Sequence, residues 1–301
     1  MFIVATVVFL VSRVVPGDPA SVMLGAAGSW DDIEKLRLAW GLDKPLIVQY
    51  FLFLEQLVRL DFGTSLFLGQ PVLAALIERS NLTLSLCVFA TVLSVCFGLP
   101  LGILAGANRD GPIDRLGSAL AILGASLPSF WVGLILMRFL AVDLGWFPVS
   151  GWGGPDEPWL SRLHHLALPA VVLSLPNAVL LLRITRTSMI DVMSQDYIRT
   201  ARAKGLGPWV VILRHALRNA LLPVVTVIGL TAALMIGRTV ITETVFGLPG
   251  VGNLVVQAVL RRDYPVLQGV LMTVAGIYVI INLAVDVLYH WIDPRIQGGR
   301  A

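Results

Sequence analysis

Long runs without a charged residue constrain this chain more than any other feature. Five such runs lack Asp, Glu, Lys and Arg: 80–108, 116–137, 166–182, 219–237 and 264–285. Each is close to the roughly 17–25 residues that a helix needs to cross the hydrocarbon core of a bilayer. A mean hydropathy of +0.82, with only 14% charged residues, lies outside the usual range of soluble domains. The sequence therefore predicts an all-α integral membrane protein.

The first apolar segment, Met1 to Ser12, is a sixth candidate span. At about 1.5 Å per residue it reaches only about 18 Å across a core of about 30 Å. We therefore expect a first helix that is truncated at its N-terminus, with the functional start upstream of Met1. A cleaved signal peptide is the alternative, but Arg13 follows the apolar run instead of preceding it.

The segments around these runs predict three parts. Residues 1–15 form the first transmembrane helix, which Pro16 and Gly17 end. Residues 16–79 form an extracytoplasmic helical subdomain, and residues 80–301 form a five-helix transmembrane core with a cytoplasmic loop at 191–218. Two helices are expected in the subdomain from its capping and helix-breaking residues, which are Ser29, Gly41 and Pro45.

Basic residues set the orientation of the six predicted transmembrane helices. The loop between the fourth and fifth runs carries only two acidic residues against seven basic ones, Arg183, Arg186, Arg199, Arg202, Lys204, Arg214 and Arg218. By the positive-inside rule this loop is cytoplasmic. Alternation of the spans then places both termini in the cytoplasm and the loops near 16–79, 143–165 and 243–263 outside.

The segment 196–208 interrupts the apolar pattern most sharply. Asp196 can cap a short helix in which Ile198 and Ala201 share one face. Gly205 can form a turn that leads into a second short helix. Together these features predict a small, stiff, basic projection at the cytoplasmic surface. The alternative is that its charges only satisfy the topology rule and contact lipid headgroups.

Several stretches resemble ABC importer permeases of the dipeptide and oligopeptide branch. Tyr197 to Gly205, followed by Arg214 to Pro223, is similar to the EAA loop of that family, with Arg-Thr-Ala where the general pattern has Glu-Ala-Ala. The other similar stretches are 13–20, 245–252, 262–265, 282–289 and 293–295. The resemblance covers nearly the whole chain.

This resemblance implies a type I ABC importer permease fold in the bacterial cytoplasmic (inner) membrane. The chain would pair with a second homologous permease as a heterodimer, contact one or two ABC ATPase subunits, and receive cargo from an extracytoplasmic substrate-binding protein. Di- or oligopeptides are the implied cargo, and glutathione, nickel chelates or oligosaccharides are the alternatives. The implied ATPase-coupling residues are Tyr197, Ile198, Arg199, Thr200, Ala201, Arg202, Ala203, Lys204 and Gly205, with the apolar contact supplied by Tyr197, Ile198 and Ala201.

The sequence contains no pattern for ATP hydrolysis. Its three lysines are Lys35, Lys44 and Lys204, and none follows a glycine, so the Gly-x-x-x-x-Gly-Lys-Ser/Thr phosphate loop is missing. We therefore expect a non-catalytic chain without a cofactor of its own, with ATP and Mg²⁺ bound by the partner ATPases. No metal site and no nucleic-acid partner are expected, since the adjacent His164 and His165 point about 100° apart on a helix and lack zinc-site spacing.

Polar residues within the spans leave one alternative open. A self-contained secondary transporter uses intramembrane carboxylates as ion or proton sites. The candidates are Glu243, Asn282 and Asp286, and the topology places both carboxylates near helix ends. That location favours helix anchoring and interhelical hydrogen bonds over an ion site.

Overall fold

The computed structural model of the chain describes residues 2–14, 21, 29–39, 41–65, 67–153 and 157–292, without the side chains at 11–14, 36, 39, 285, 286 and 288–292. The predicted helix end at Pro16 and the stretch 293–295 lie outside the described residues. So does the side chain of Asp286.

The described chain is almost entirely helical. Its helices are α1 (Phe2–Val14), α2 (Trp30–Ala39), α3 (Leu46–Val58), α4 (Val72–Ala107), α5 (Pro112–Ser126), α6 (Ser129–Asp143), α7 (Trp159–Met193), α8 (Asp196–Ala203), α9 (Pro208–Val245), α10 (Val251–Arg261) and α11 (Tyr264–Ile292). Two short strands, β1 (Thr64–Ser65) and β2 (Gln70–Pro71), pair in antiparallel orientation.

Four of the described helices, α4, α7, α9 and α11, are long and apolar enough to cross a membrane. Helices α5 and α6 form a fifth span if the bent pair counts as one. The predicted all-α membrane class is therefore confirmed. The count of six spans stays a prediction, because α1 has 13 residues over its described length. The cytoplasmic location of both termini also stays a prediction.

The third predicted span, 116–137, is not one straight helix. Helices α5 and α6 differ in direction by 98°. The break falls at Leu127, whose backbone is extended (φ −93°, ψ 130°), immediately before Pro128. Proline disfavours helical backbone at the residue before it and has no N–H to donate, which explains the break. The prolines at 100, 176 and 223 lie inside continuous helices.

The contacts group the chain into two units, and the first comprises Met1–Thr83 and Pro249–Val279. Its core is formed by apolar side chains of α4, α10 and α11, which include Val72, Leu76, Leu254, Val266 and Val270. The two helices predicted within the segment 16–79 are present as α2 and α3. The hydroxyl of Ser29 accepts a hydrogen bond from the Asp32 N–H at 3.2 Å, and Gly41 follows α2 with φ +63°.

The second unit comprises Leu84–Leu248 and Ile280–Ala301, and within it α4 packs closely on α7. Gly98, Gly102 and Gly106 lie one helical turn apart on α4 and face α7. A Cβ atom placed on Gly102 would lie 2.6 Å from the Cβ of Thr185 and 2.8 Å from the Leu182 carbonyl oxygen. Such small-residue stripes let membrane helices approach backbone to backbone. We call these three glycines the glycine seam.

Candidate functional site

Helix α8, which carries the predicted coupling residues, is attached to the second unit by its apolar face. Ile198 is fully buried and Ala201 is 6% exposed. Both belong to a cluster that includes Ile103 of α4, Met189 of α7 and Ala220 of α9. The assignment of Ile198 and Ala201 to an outer contact is therefore wrong in its geometry, because their side chains fix the segment to its own helices.

Tyr197 also ties α8 to the long helices. Tyr197 is 42% exposed, and its hydroxyl oxygen accepts a hydrogen bond of 2.8 Å from Nδ2 of Asn219 in α9. The contact joins residues that are 22 positions apart in the chain. Together with the buried face, it restricts rotation of α8 relative to α9.

The opposite face of α8 is polar and exposed. The side chains of Arg199, Arg202, Ala203 and Lys204 are accessible, as is Thr200, whose hydroxyl donates to the Asp196 carbonyl at 3.0 Å. Arg199 forms an i,i+3 ion pair with Asp196 at 3.3 Å, and both side chains are more than three-quarters exposed. This face presents positive charge to the outside of the unit.

The beginning of α8 differs from the sequence prediction. Gln195 occupies the cap position with an extended backbone, and Asp196 is the first helical residue. No side chain makes the cap hydrogen bond there. Asp196 still places its negative charge in the first turn, where the helix dipole favours it.

The end of α8 is a glycine turn of the predicted kind. Gly205 has φ +77°. Its N–H donates to the Arg202 carbonyl at 2.9 Å, and the Leu206 N–H donates to the Ala201 carbonyl at 3.4 Å. This pair of bonds is the Schellman motif, which requires left-handed backbone at the glycine. A Cβ on Gly205 would meet nothing within 4 Å, so the turn projects into open space.

The segment after Gly205 contains the apolar surface that sequence reasoning missed. The predicted second short helix does not end as a separate element. It begins at Pro208 as α9 and runs without interruption to Val245, with π-helical geometry over Val211–Ala216. Trp209 and Leu213, one turn apart on this helix, are 60% and 55% exposed. The sequence signal that could have predicted this surface is Trp209, a large aromatic residue next to the basic segment.

An ion pair supports α7 where it approaches the segment, and sequence reasoning missed it as well. The guanidinium of Arg186 donates to both carboxylate oxygens of Asp114, one of them at 2.8 Å. Asp114 also accepts the N–H of Asp110 at 2.9 Å, and its side chain is only 4% exposed. The turn before α5 is thereby fixed to α7. In the sequence, Arg186 counted only as one of the seven basic residues that set the orientation in the membrane.

The other candidate polar residues, Glu243, His164 and His165, are buried or form hydrogen bonds within the chain. Glu243 is fully buried, and a ring nitrogen of His164 lies 2.8 Å from the Trp146 carbonyl. A ring nitrogen of His165 lies 2.9 Å from the Ser161 carbonyl. Among the described residues, no group of three His, Cys, Asp or Glu side chains is arranged to hold a metal ion.

The geometry is that of a short, stiff, basic projection held on three long membrane helices. Residues 98–298 match the family described as the binding-protein-dependent transport system inner membrane component. Residues 1–87 match the N-terminal component of the same kind of system. The chain belongs to this family.

Relatives in this family are similar over nearly the whole chain. A probable peptide ABC transporter permease of Sinorhizobium fredii is 44% identical over 297 residues, which cover 99% of this chain and 95% of the relative. A putative peptide transport system permease of Brucella abortus is 42% identical over the same shares. The glutathione transport system permease of Salmonella paratyphi A is 41% identical, over 99% and 94% of the two chains.

Solved structures confirm the fold class. A chain of the inward-facing MetNI methionine ABC transporter has a TM-score of 0.62 at 19% identity, with 73% of this chain and 97% of that chain covered. A chain of an amino acid ABC transporter has a TM-score of 0.51 at 17% identity, over 74% and 94%. This family member therefore has the type I ABC importer permease fold, in a multi-pass protein of the bacterial inner membrane.

Proposed function

We propose that the chain is the membrane-spanning permease subunit of an ATP-driven, binding-protein-dependent importer. The observation that carries this proposal is the construction of the segment 196–205. Its apolar face is buried against the long helices, its basic face is exposed, and its closing glycine leaves open space. A loop that only balanced charge at a lipid surface would not need this rigid attachment.

The segment can transmit movement because its attachments are on separate helices. A partner that pulled on α8 would displace Met189 of α7 and Ile103 of α4 through packing, and α9 through the Tyr197–Asn219 hydrogen bond. Close-packed side chains transmit such displacement as rigid bodies. ATP-driven closure of an ATPase pair would thus tilt the spans and alternate the access to a central pathway.

The proposed function requires several partner subunits. The chain hydrolyses nothing itself, and ATP and Mg²⁺ bind one or two ABC ATPase subunits that dock on residues 196–213. A second, homologous permease completes the pathway as a heterodimer, and an extracytoplasmic binding protein delivers the cargo. The charge complementarity to the ATPase comes from Arg199, Arg202 and Lys204. The apolar contact comes from Trp209 and Leu213.

We propose di- or oligopeptides as the cargo. The support is that relatives with 42–44% identity are named as permeases of peptide transport systems. Glutathione is the second candidate, because a relative named for it is 41% identical over the same length. Glutathione is itself a tripeptide, so both candidates are small peptides with free carboxylates.

Reconstitution tests the proposal. The permease pair, its ATPases and its binding protein are placed in proteoliposomes, and uptake of radiolabelled trialanine and of glutathione is measured with and without ATP. We expect ATP-dependent and binding-protein-dependent uptake of at least one of them. Mass spectrometry of ligand copurified with the binding protein identifies the native cargo. Uptake driven by an ion gradient without ATP would indicate a secondary transporter instead.

A further inference from the structure

One arginine at the end of an uncharged run is not explained by the coupling function. Arg238 directly follows the uncharged run 219–237 of α9, seven residues before the helix ends at Val245, and it is exposed in this chain. The apolar residues on the same exposed face are Leu230, Leu234 and Ile241, which are 46%, 43% and 52% exposed. A single charged side chain therefore interrupts an apolar stripe.

A hydrogen bond fixes the position of this charge relative to α7. Nη1 of Arg238 donates to Oδ1 of Asn177 at 2.8 Å. Asn177 is 1% exposed and lies inside the uncharged run 166–182 of α7, away from both ends of that run. An arginine that snorkelled to the headgroups would extend toward the helix end. This guanidinium is instead bonded to a buried side chain within the uncharged run of α7.

The bond leaves the positive charge uncompensated. The partner is a neutral amide oxygen, and no Asp or Glu among the described side chains lies within 4.0 Å of the guanidinium. The Nδ2 group of Asn177 has no hydrogen-bond partner among the described residues either. The bond to Asn177 thus holds the guanidinium of Arg238 in a fixed orientation. The remaining N–H groups of Arg238 and the Nδ2 group of Asn177 are available to an acceptor.

Such a charge is costly against lipid, and intramembrane arginines face protein or a water-filled pathway. A planar guanidinium matches a carboxylate with two parallel hydrogen bonds. We propose that Arg238, positioned by Asn177, lines the translocation pathway and recognises a carboxylate of the transported molecule. This inference rests on the proposed function, and it assigns anionic or zwitterionic cargo, such as a peptide with a free C-terminus, to the pathway.

The first arm of the test needs no knowledge of the cargo. Leu234 lies one turn before Arg238 on the same face, so a cysteine there reports on the water and potential around the guanidinium. In the assembled transporter, with Cys87 and Cys96 replaced by alanine, the Leu234→Cys variant is reacted with anionic and with cationic methanethiosulfonate reagents. We expect reaction with both, and a ratio of anionic to cationic rates severalfold higher with Arg238 than with Arg238→Gln.

The second arm measures ATP-driven uptake of trialanine in proteoliposomes. Arg238→Gln is expected to reduce uptake about tenfold, and Arg238→Lys to keep most of it, with unchanged ATPase copurification in both. A Leu234→Cys variant that reacts with neither reagent, equal rate ratios in the two backgrounds, or wild-type uptake by Arg238→Gln each overturns the proposal. If the wild-type complex imports no peptide, the peptide assignment fails, and the rate ratio alone then decides whether Arg238 forms an anion site.

Discussion

Two sets of glycines in this chain have opposite surroundings. In the glycine seam, an added Cβ at Gly98, Gly102 or Gly106 would come within 2.5–2.6 Å of a side-chain or backbone atom of α7. At Gly205, an added Cβ would meet nothing within 4 Å, but the backbone has φ +77°. The seam needs glycine for close approach of two helices, whereas the projection needs it for an unusual backbone conformation.

This difference separates folding from function in one molecule. The seam is buried within the second unit, so its glycines determine whether α4 and α7 pack. Gly205 lies beyond the last packed residue of α8, so its contribution to the core is small. Substitutions at the two places are therefore expected to fail in different assays, even though each adds a side chain to a glycine.

The largest effect is expected from Gly102→Ala. The new methyl group would collide with Thr185 and with the Leu182 carbonyl, and backbone atoms cannot rotate away as a side chain can. Overpacking of this kind costs about 1–3 kcal/mol, and occasionally more. We expect a lower yield of folded protein and a lower midpoint in a thermal aggregation assay of the detergent-solubilised chain.

Gly237→Ala is the matched control for that experiment. Gly237 also lies inside a long helix, α9, but its added Cβ would meet nothing within 4 Å. The same chemical change should leave the midpoint unchanged or slightly raised, because alanine favours the helix over glycine. Equal midpoints for the two variants would show that the seam tolerates a wider helix separation than its geometry indicates.

The seam also shows what the sequence could and could not predict. Uncharged runs identified the four long membrane helices, and missed the bend in a fifth segment, because hydrophobic length is a property of each segment alone. The spacing Gly98-x-x-x-Gly102-x-x-x-Gly106 was present in the sequence, but it names no partner helix. Only the fold shows that Ala178, Leu182 and Arg186 supply the facing carbonyls.

The projection was predicted in part for a similar reason. A turn at a glycine is a local property, and the predicted turn at Gly205 is confirmed. The direction of the helix faces was not predictable from spacing. Ile198 and Ala201 share a face as expected, but whether that face meets a partner or the chain's own helices depends on tertiary packing. The ATPase-coupling role of the segment stays a prediction.

The second largest effect is expected from Gly205→Val, and it concerns coupling. Valine in left-handed backbone costs about 1–3 kcal/mol, which would distort the turn, and its bulk would occupy the open space at the docking surface. The packed helices are untouched, so the variant should reach the membrane at normal levels. We expect it to lose ATPase copurification and ATP-driven uptake together.

Gly41→Val separates backbone strain from docking in this experiment. Gly41 also follows a short helix with positive φ, +63°, but it belongs to the first unit. A similar strain there should leave ATPase copurification intact. If both variants lose the ATPase, general misfolding explains the result, and if neither does, the docking assignment of the segment 196–205 is wrong.

The smallest effect is expected from Arg199→Ala, which tests the charge of the projection without changing its backbone. The ion pair of Arg199 with Asp196 is highly exposed, and such pairs contribute about 0–1 kcal/mol, so stability should not change. At the docking surface, loss of one peripheral charge mainly slows association and reduces its salt dependence. We therefore expect ATPase binding to weaken about two- to fivefold at low ionic strength, with the difference disappearing as salt is added.

Arg37→Ala is the matched control, because Arg37 forms the same i,i+3 arrangement with Glu34 at 3.4 Å in α2 of the first unit. A salt-independent loss for Arg199→Ala, or an equal loss for Arg37→Ala, would show that the basic face of α8 does not attract the ATPase by charge and that the apolar contact of Trp209 and Leu213 dominates the docking.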